Sequence, residues 1–162
     1  MIFLTVGAQF GFDRLVKAVD MCVEKGVIKD DLFAQVGNGR YIPRNFPFKP
    51  LLNSKQYGEQ FANASAVIGH AGMGTIITAL KMNKPLLAMP RLKEFGEVVN
   101  DHQIAICRRF AAEGLLLPAY SETELPERVV NLAEFVPLKR EPQPEKVFDR
   151  IREFLKELDR GL

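Results

Sequence analysis

The sequence predicts an α/β domain built on a parallel sheet that helices cover on both faces. Short apolar runs of strand length alternate along the chain with longer segments in which apolar residues recur at helical spacing. This alternation is typical of βαβ units, in which all strands run in the same direction. Since 162 residues are the size of one ordinary domain, we expect a single domain over residues 1–162.

Each element follows from its local pattern. A buried strand is expected at residues 3–6, and a helix follows from Phe12 to about Val23, with Gly26 just past its end. Residues 40–50 mix proline, basic and aromatic side chains, which fits either a long loop or a short edge strand. Further strands are expected at 32–36, 66–68, 86–89 and 115–117. Further helices are expected at 54–64, 75–82, 101–112, 122–132 and about 144–159.

Composition excludes several classes of protein. A net charge of +2 is too small to indicate nucleic-acid binding. No apolar run approaches the roughly 20 residues that a membrane span needs, and the first residues resemble a strand rather than a signal peptide, so we expect a cytosolic protein. Cys22 and Cys107 fall among helical apolar positions, which indicates buried thiols rather than a disulfide or a metal site.

The segment Ile68-Gly69-His70-Ala71-Gly72-Met73-Gly74-Thr75 carries the strongest functional signal. Here a buried strand ends in glycines that let backbone N–H groups approach a ligand, and we expect Thr75 to begin a helix whose positive dipole end faces an anion. The segment therefore predicts a phosphate site. Structural interpretations remain open: the glycines can serve tight turns, His70 can be a core or capping residue, and Thr75 can be an N-cap.

Four motifs occur in order: Thr5-Val6-Gly7 with Phe12-Asp13-Arg14-Leu15-Val16, His70 to Thr75, Asn83-Lys84-Pro85, and Asn100-Asp101-His102-Gln103. With them the chain resembles the C-terminal domain of glycosyltransferase family 28. The likeness is strongest to its free-standing donor-binding subunits, in the dolichol pathway and in bacterial exopolysaccharide synthesis. It implies a Rossmann-like domain, the C-terminal half of a GT-B fold, which binds a UDP-sugar donor with no other cofactor and no catalytic metal.

The resemblance also implies roles for individual residues. One position departs from the family: Thr78 stands where many relatives have a glutamate that binds the ribose hydroxyls. Gly7 would face the cleft. The diphosphate would lie at His70, Gly72, Gly74 and Thr75; the donor sugar at Asn100, His102 and Gln103; and the nucleoside at Leu52, Asn53, Ser54 and Thr78.

No residue of the sequence stands out as the catalytic base that transfer to a hydroxyl needs. In two-domain relatives the acceptor-side half supplies the base. The resemblance therefore implies a donor-binding subunit that works with a membrane-anchored, acceptor-binding partner on a lipid-linked saccharide, at the inner face of the membrane. Two other classes stay open. One is a non-catalytic accessory subunit that stabilises such a partner, and the other is a small dinucleotide-dependent oxidoreductase, although G-x-G-x-x-G is missing after the first strand.

Overall fold

The computed structural model describes residues 1–139 and 144–160, and within them six parallel strands form one sheet in the order β3-β2-β1-β4-β5-β6. This confirms the α/β class and the parallel sheet. The strands are β1 (Ile2–Thr5), β2 (Leu32–Gln35), β3 (Phe48–Lys49), β4 (Ala66–His70), β5 (Leu86–Met89) and β6 (Leu117–Pro118). The helices are α1 (Asp13–Glu24), α2 (Ser54–Asn63), α3 (Met73–Lys81), α4 (His102–Ala112), α5 (Leu125–Leu132) and α6 (Pro144–Arg160).

The order of the strands reverses at the centre of the sheet. From β1 the chain moves outward through β2 to β3, and it then returns to the other side of β1, where β4 pairs Ile68 with Leu4. From β4 it moves outward again through β5 to β6. The loops after β1 and β4 therefore diverge at the same edge, and such a switch point is where open α/β sheets bind ligands.

Two apolar layers cover the faces of the sheet, as expected. On one face α1 and α5 pack on the sheet through residues such as Leu15, Val19 and Leu125, which are fully buried. On the other face Phe61, Ile76 and Cys107 bring α2, α3 and α4 together. Strands buried on both faces have continuous apolar sequences, which is why the short runs were good predictors of strands.

Some boundaries differ from the expected ones. Helix α3 begins at Met73, with Gly72 as its N-cap, so the expectation that Thr75 begins or caps this helix was wrong. The last strand is Leu117–Pro118 rather than 115–117, because the backbone reaches β5 only there, and an edge strand tolerates a proline. Residues 40–50 contain the short edge strand β3, and Gly26, with φ of +69°, follows the C-cap of α1.

Helix α6 presents one apolar stripe that is half exposed to solvent. The stripe consists of Val147, Phe148, Ile151, Phe154, Leu155 and Leu158. Prolines are frequent in residues 137–144, which lead into the helix, and part of this segment, residues 140–143, lies outside the described residues. No helix in the described part of the chain is both long and apolar enough to cross a membrane. Cys22 and Cys107 are free and buried, as predicted.

Candidate functional site

An open cleft of about 430 Å³ lies at the switch point, over the carboxyl ends of β1 and β4. Seven of the residues that the sequence singled out line it, and four further residues complete the wall. The lining consists of Gly7, Ala8, Gln35, Leu51, Leu52, Ser54, Tyr57, His70, Gly74, Thr75 and Thr78. Three of the four predicted diphosphate residues and three of the four predicted nucleoside residues thus meet in one cavity, whereas Gly72 and Asn53 lie outside its lining.

The amino end of α3 meets this cleft. Its N-cap is Gly72, which has no side chain to cap the helix, and the first intrahelical bond runs from the Ile76 amide to the Gly72 carbonyl. The amides of Met73, Gly74 and Thr75 therefore precede the hydrogen-bonded part of the helix. Uncapped amides together with the positive end of the helix dipole attract an anion.

His70 ends β4 with its imidazole between two glycines. A Cβ at Gly7 would lie 2.9 Å from His70 Cε1, and a Cβ at Gly72 would overlap Nε2. Both positions must therefore remain free of side chains for the ring to fit. Gly7 also has a φ of +79°, a conformation that other residues rarely adopt.

Burial and, to a smaller extent, the positive charge of Arg91 lower the pKa of His70 from 6.5 to about 4, while the Thr5 backbone carbonyl opposes the shift. The ring is therefore neutral at physiological pH. Its Nδ1 is buried and meets no partner at hydrogen-bond geometry among the described residues. A neutral imidazole carries only one N–H, so His70 can donate a single hydrogen bond to a phosphate oxygen and adds no charge to the free site.

Gly74 differs from Gly7 and Gly72, because a Cβ added to it would meet nothing within 4 Å. The fold therefore does not require a glycine there, and glycine inside a helix is less stable than alanine by about 0.5–1 kcal/mol. Since Gly74 lines the cleft, the empty space above it fits a ligand that approaches the backbone closely.

Gln35 connects two loops beneath the cleft. Its Nε2 donates to the Gly7 carbonyl at 3.0 Å, and its Oε1 accepts from the Leu52 amide at 3.0 Å. Gln35 is 2% exposed, and its bond with the Leu52 amide is fully buried. Gln35 thereby fixes the loop after β1 relative to the segment expected to hold the nucleoside.

The predicted nucleoside residues have additional structural roles. Asn53 forms a capping box with Gln56 at the start of α2, and the Thr78 hydroxyl donates to the Gly74 carbonyl at 2.7 Å. The Leu52 amide is taken by Gln35. The Ser54 side chain is exposed at the cleft and has no hydrogen bond in the described structure. Of the four, Ser54 has the hydroxyl that is available both to donate and to accept a hydrogen bond. The Thr78 hydroxyl already donates to Gly74, so it can only accept one from a ligand.

The predicted donor-sugar residues lie outside this lining, in the loop before α4 and in its first turn. Asn100 and His102 are exposed and contact each other through Asn100 Oδ1 and the His102 ring. Gln103 is 6% exposed, and its Oε1 accepts from the Arg91 amide at 3.1 Å. Gln103 therefore stabilises the loop after β5 through this hydrogen bond.

The sequence did not reveal Ala8, Gln35, Leu51 or Tyr57 as parts of the wall. Of these four, Gln35 could have been found from the sequence, because it is a polar residue at the carboxyl end of a buried strand. Tyr57 belongs to α2 and packs edge-on against Phe3 with ring centroids 5.6 Å apart. Burial raises the pKa of Tyr57, and hydrogen bonds with Thr75 and Thr5 partly offset that rise. Nothing in its helical spacing distinguishes it from a core residue.

Uncapped helix amides, glycines at close approach and a switch-point cleft are features typical of α/β domains that bind the phosphate groups of nucleotides. The chain belongs to a glycosyltransferase family: residues 1–158 match the model of the glycosyltransferase family 28 C-terminal domain. The resemblance seen in the four motifs is confirmed by this match.

Among curated proteins, the chain is similar to the UDP-N-acetylglucosamine transferase subunit ALG13 of Mus musculus, with 32% identity over 123 residues. The same subunit of Homo sapiens is 29% identical over 124 residues. These alignments cover 70% and 71% of this chain but only 10% of each mammalian protein.

The fold is also found in solved structures. An NMR structure of ALG13 superposes with a TM-score of 0.57 and 21% identity, covering 93% of both chains. Acinetobacter baumannii MurG gives a TM-score of 0.54 and 16% identity, covering 83% of this chain and 45% of that one. The glycosyltransferase SnogD of Streptomyces nogalater gives 0.54 and 15%, covering 94% and 43%. The chain thus has the fold of the C-terminal domain of GT-B glycosyltransferases.

Proposed function

We propose that this chain is the UDP-sugar-binding subunit of a two-component glycosyltransferase. In this proposal the two-component enzyme transfers a hexose or an N-acetylhexosamine to a lipid-linked saccharide during polysaccharide or glycan synthesis. The observation that carries the proposal is the cleft beside Gly74, which the fold leaves open in front of uncapped helix amides. The similarity to a UDP-N-acetylglucosamine transferase subunit indicates the nucleotide.

The diphosphate is assigned to the amides of α3 and to the His70 ring. No carboxylate is found among the cleft residues in the described part of the chain, which favours an anionic ligand and gives a divalent cation no hard oxygen anion to bind. Backbone N–H groups would therefore stabilise the charge that develops on the leaving UDP, without a metal ion. We assign binding of the nucleoside to Ser54 and Thr78, and binding of the sugar to the loop that carries Asn100 and His102.

The same lining supports a second component. Transfer to a hydroxyl usually needs a group that removes its proton, and the described lining contains no carboxylate and only a weakly basic His70. We therefore assign the base to a membrane-anchored subunit that also holds the acceptor and keeps this chain at the inner face of the membrane.

Exposed apolar side chains at the carboxyl edge of the sheet support the same assignment. They follow four different strands, β1, β3, β4 and β5. The residues are Phe10, Leu51, Met73, Phe95 and Val99, of which Val99 is 85% exposed. Exposed apolar residues of this kind are found on surfaces that another protein covers.

Calorimetric and NMR titrations of the purified chain test the donor assignment. UDP should bind in the presence of EDTA and shift the amide signals of residues 72–75, whereas NAD should not bind. A chain that binds no UDP at millimolar concentration would contradict the proposal and favour the accessory subunit. Thr78 is the residue that favours this alternative, because its hydroxyl already donates to Gly74.

Transfer assays test the two-component assignment. The purified chain should transfer no sugar from UDP-N-acetylglucosamine or a UDP-hexose to a lipid-linked saccharide, because the described lining of the cleft offers no carboxylate and only a weakly basic His70 to act as the base. Coexpression with the membrane-anchored subunit should restore transfer. Rapid transfer by the single chain would show that the base is contained in it.

A further inference from the structure

Arg91 is a buried cation directly behind the loop that follows β1. It comes two residues after β5 and is 3% exposed. Its Nη2 donates to the Val6 carbonyl at 2.6 Å and to the Phe10 carbonyl at 2.7 Å. The guanidinium also lies 5.2 Å from the centre of the Phe12 ring. One side chain thus holds both ends of the loop that contains Gly7 and Ala8.

The charge of Arg91 is not matched by an ion pair in the described part of the chain. Its Nε is buried and has no hydrogen-bond partner there. The carboxylate that acts on it belongs to Glu97, which binds Arg14 at 2.9 Å and the Leu92 amide at 2.9 Å. Burial lowers the pKa of Arg91 to about 10, so the guanidinium remains charged at neutral pH. An unpaired buried charge is costly, and this one lies beside the candidate anion site.

We propose that Arg91 is a positioning residue for the donor diphosphate: it turns the carbonyls of the loop after β1 away from the cleft and gives the site a fixed positive potential. The inference rests on the proposed function. The carbonyls of Val6 and Phe10 face a buried guanidinium and so cannot face an anion. The amides of Ala8 and Gln9 make no hydrogen bond within the described residues and are left as donors.

The guanidinium of Arg91 lies close to the cleft, because it bonds the carbonyl of Val6, the residue before Gly7 of the lining. Arg91 is the charged group that lowers the pKa of His70, which lines the cleft on the other side of Gly7. A bound diphosphate would supply the negative charge that the protein does not place there. Arg91 would then act through the loop and through its field, without touching the ligand.

The test compares Arg91→Met, Arg91→Lys and Arg108→Met. Arg108 is an exposed arginine that lies over the Tyr120 ring at 6.0 Å, so its removal controls for net charge and for loss of a stacked guanidinium. For each variant, the readouts are the affinity for UDP, the affinity for uridine by NMR, the pKa of His70 by NMR, and stability to urea.

Arg91→Met should lower the affinity for UDP about tenfold or more and leave the affinity for uridine unchanged. It should also raise the pKa of His70 towards its ordinary value. Arg91→Lys keeps the charge but cannot reproduce the geometry of the guanidinium. It should therefore keep the low pKa of His70 and reduce the affinity for UDP less than Arg91→Met does. Arg108→Met should resemble the wild type in all four readouts.

Equal weakening of UDP and uridine by Arg91→Met, or no weakening of either, would overturn the positioning role. If Arg91→Met does not fold, Arg91→Lys decides: a loss of UDP affinity without a loss of uridine affinity supports the proposal, and an equal loss overturns it. A wild-type chain that binds no UDP would instead reject the proposed function, and the role of Arg91 with it.

Discussion

The two halves of the carboxyl edge are built differently. In the half between β1 and β4, the amides at the start of α3 have no cap, and Gly74 faces open space. The other half is formed by the loop from β5 to α4, whose polar groups hydrogen-bond within the protein. Gln103 accepts from the Arg91 amide, Asp101 accepts from the Lys93 amide, and Glu97 binds Arg14.

This difference indicates two roles. Polar groups left without partners at a cleft are available to a ligand, whereas groups that bond to one another fix a loop. The first half therefore has the properties of a preformed anion site. The second half shapes the loop after β5 and, through Arg91, supports the loop after β1.

Gly72→Ala should have the largest effect, because its Cβ would overlap the His70 ring. We expect a loss of about 3 kcal/mol in the free energy of unfolding and no measurable UDP binding, since the ring must move into the cleft or the helix must shift. Urea unfolding and UDP titration measure both quantities. A variant with wild-type stability would mean that the ring does not lie between Gly7 and Gly72.

Changing the pH tests the neutral His70. Its pKa falls from 6.5 to about 4 on folding, so between these values the unfolded chain binds the proton more tightly. The stability that depends on the neutral ring is complete above pH 6.5 and is lost as the pH falls towards 4, by up to about 1.4 kcal/mol per pH unit. Urea unfolding at several pH values should show this extra slope in the wild type but not in His70→Asn. Parallel curves for the two proteins would contradict a buried neutral ring.

The sequence indicated the loop between β4 and α3 but not the contacts that fix the loop after β1, for a physical reason. Gly72, Gly74 and His70 are close in the chain, so local spacing was enough to indicate the loop between β4 and α3. Gln35 and Arg91 reach the loop after β1 from residues 28 and 85 positions away. Such contacts depend on how the strands pair, which no local pattern contains.

The same limit applies to side chains with two possible partners. The motif 100–103 correctly indicated a polar loop after β5. It could not show that Gln103 turns inward, where it is 6% exposed, while Asn100 and His102 remain at the surface. The direction of the Gln103 side chain follows from the position of the Arg91 amide, which is fixed by β5.

Gln103→Ala tests whether the second half is mainly support. It would leave the buried Arg91 amide without its acceptor, which costs about 1–3 kcal/mol of stability. We expect the affinities for UDP and for UDP-N-acetylglucosamine to fall by the same factor, because the loop after β1 loses part of its support. Asn100→Ala is the matched control at the surface: it removes the acceptor of the His102 amide at the start of α4 and should leave UDP binding unchanged. A loss confined to the UDP-sugar in Gln103→Ala would show instead that this side chain contacts the sugar.

Gly74→Ala and Gly58→Ala form the finest comparison, because a Cβ meets nothing within 4 Å at either position. Both glycines lie in helices, so each alanine should raise stability slightly, by about 0.5 kcal/mol. Gly74 lines the cleft, where a methyl group would lie between the backbone and the diphosphate. Gly74→Ala should therefore weaken UDP about tenfold, and Gly58→Ala should not change its affinity. Two variants that gain stability alike and bind UDP alike would show that the open space above Gly74 is not where the ligand lies.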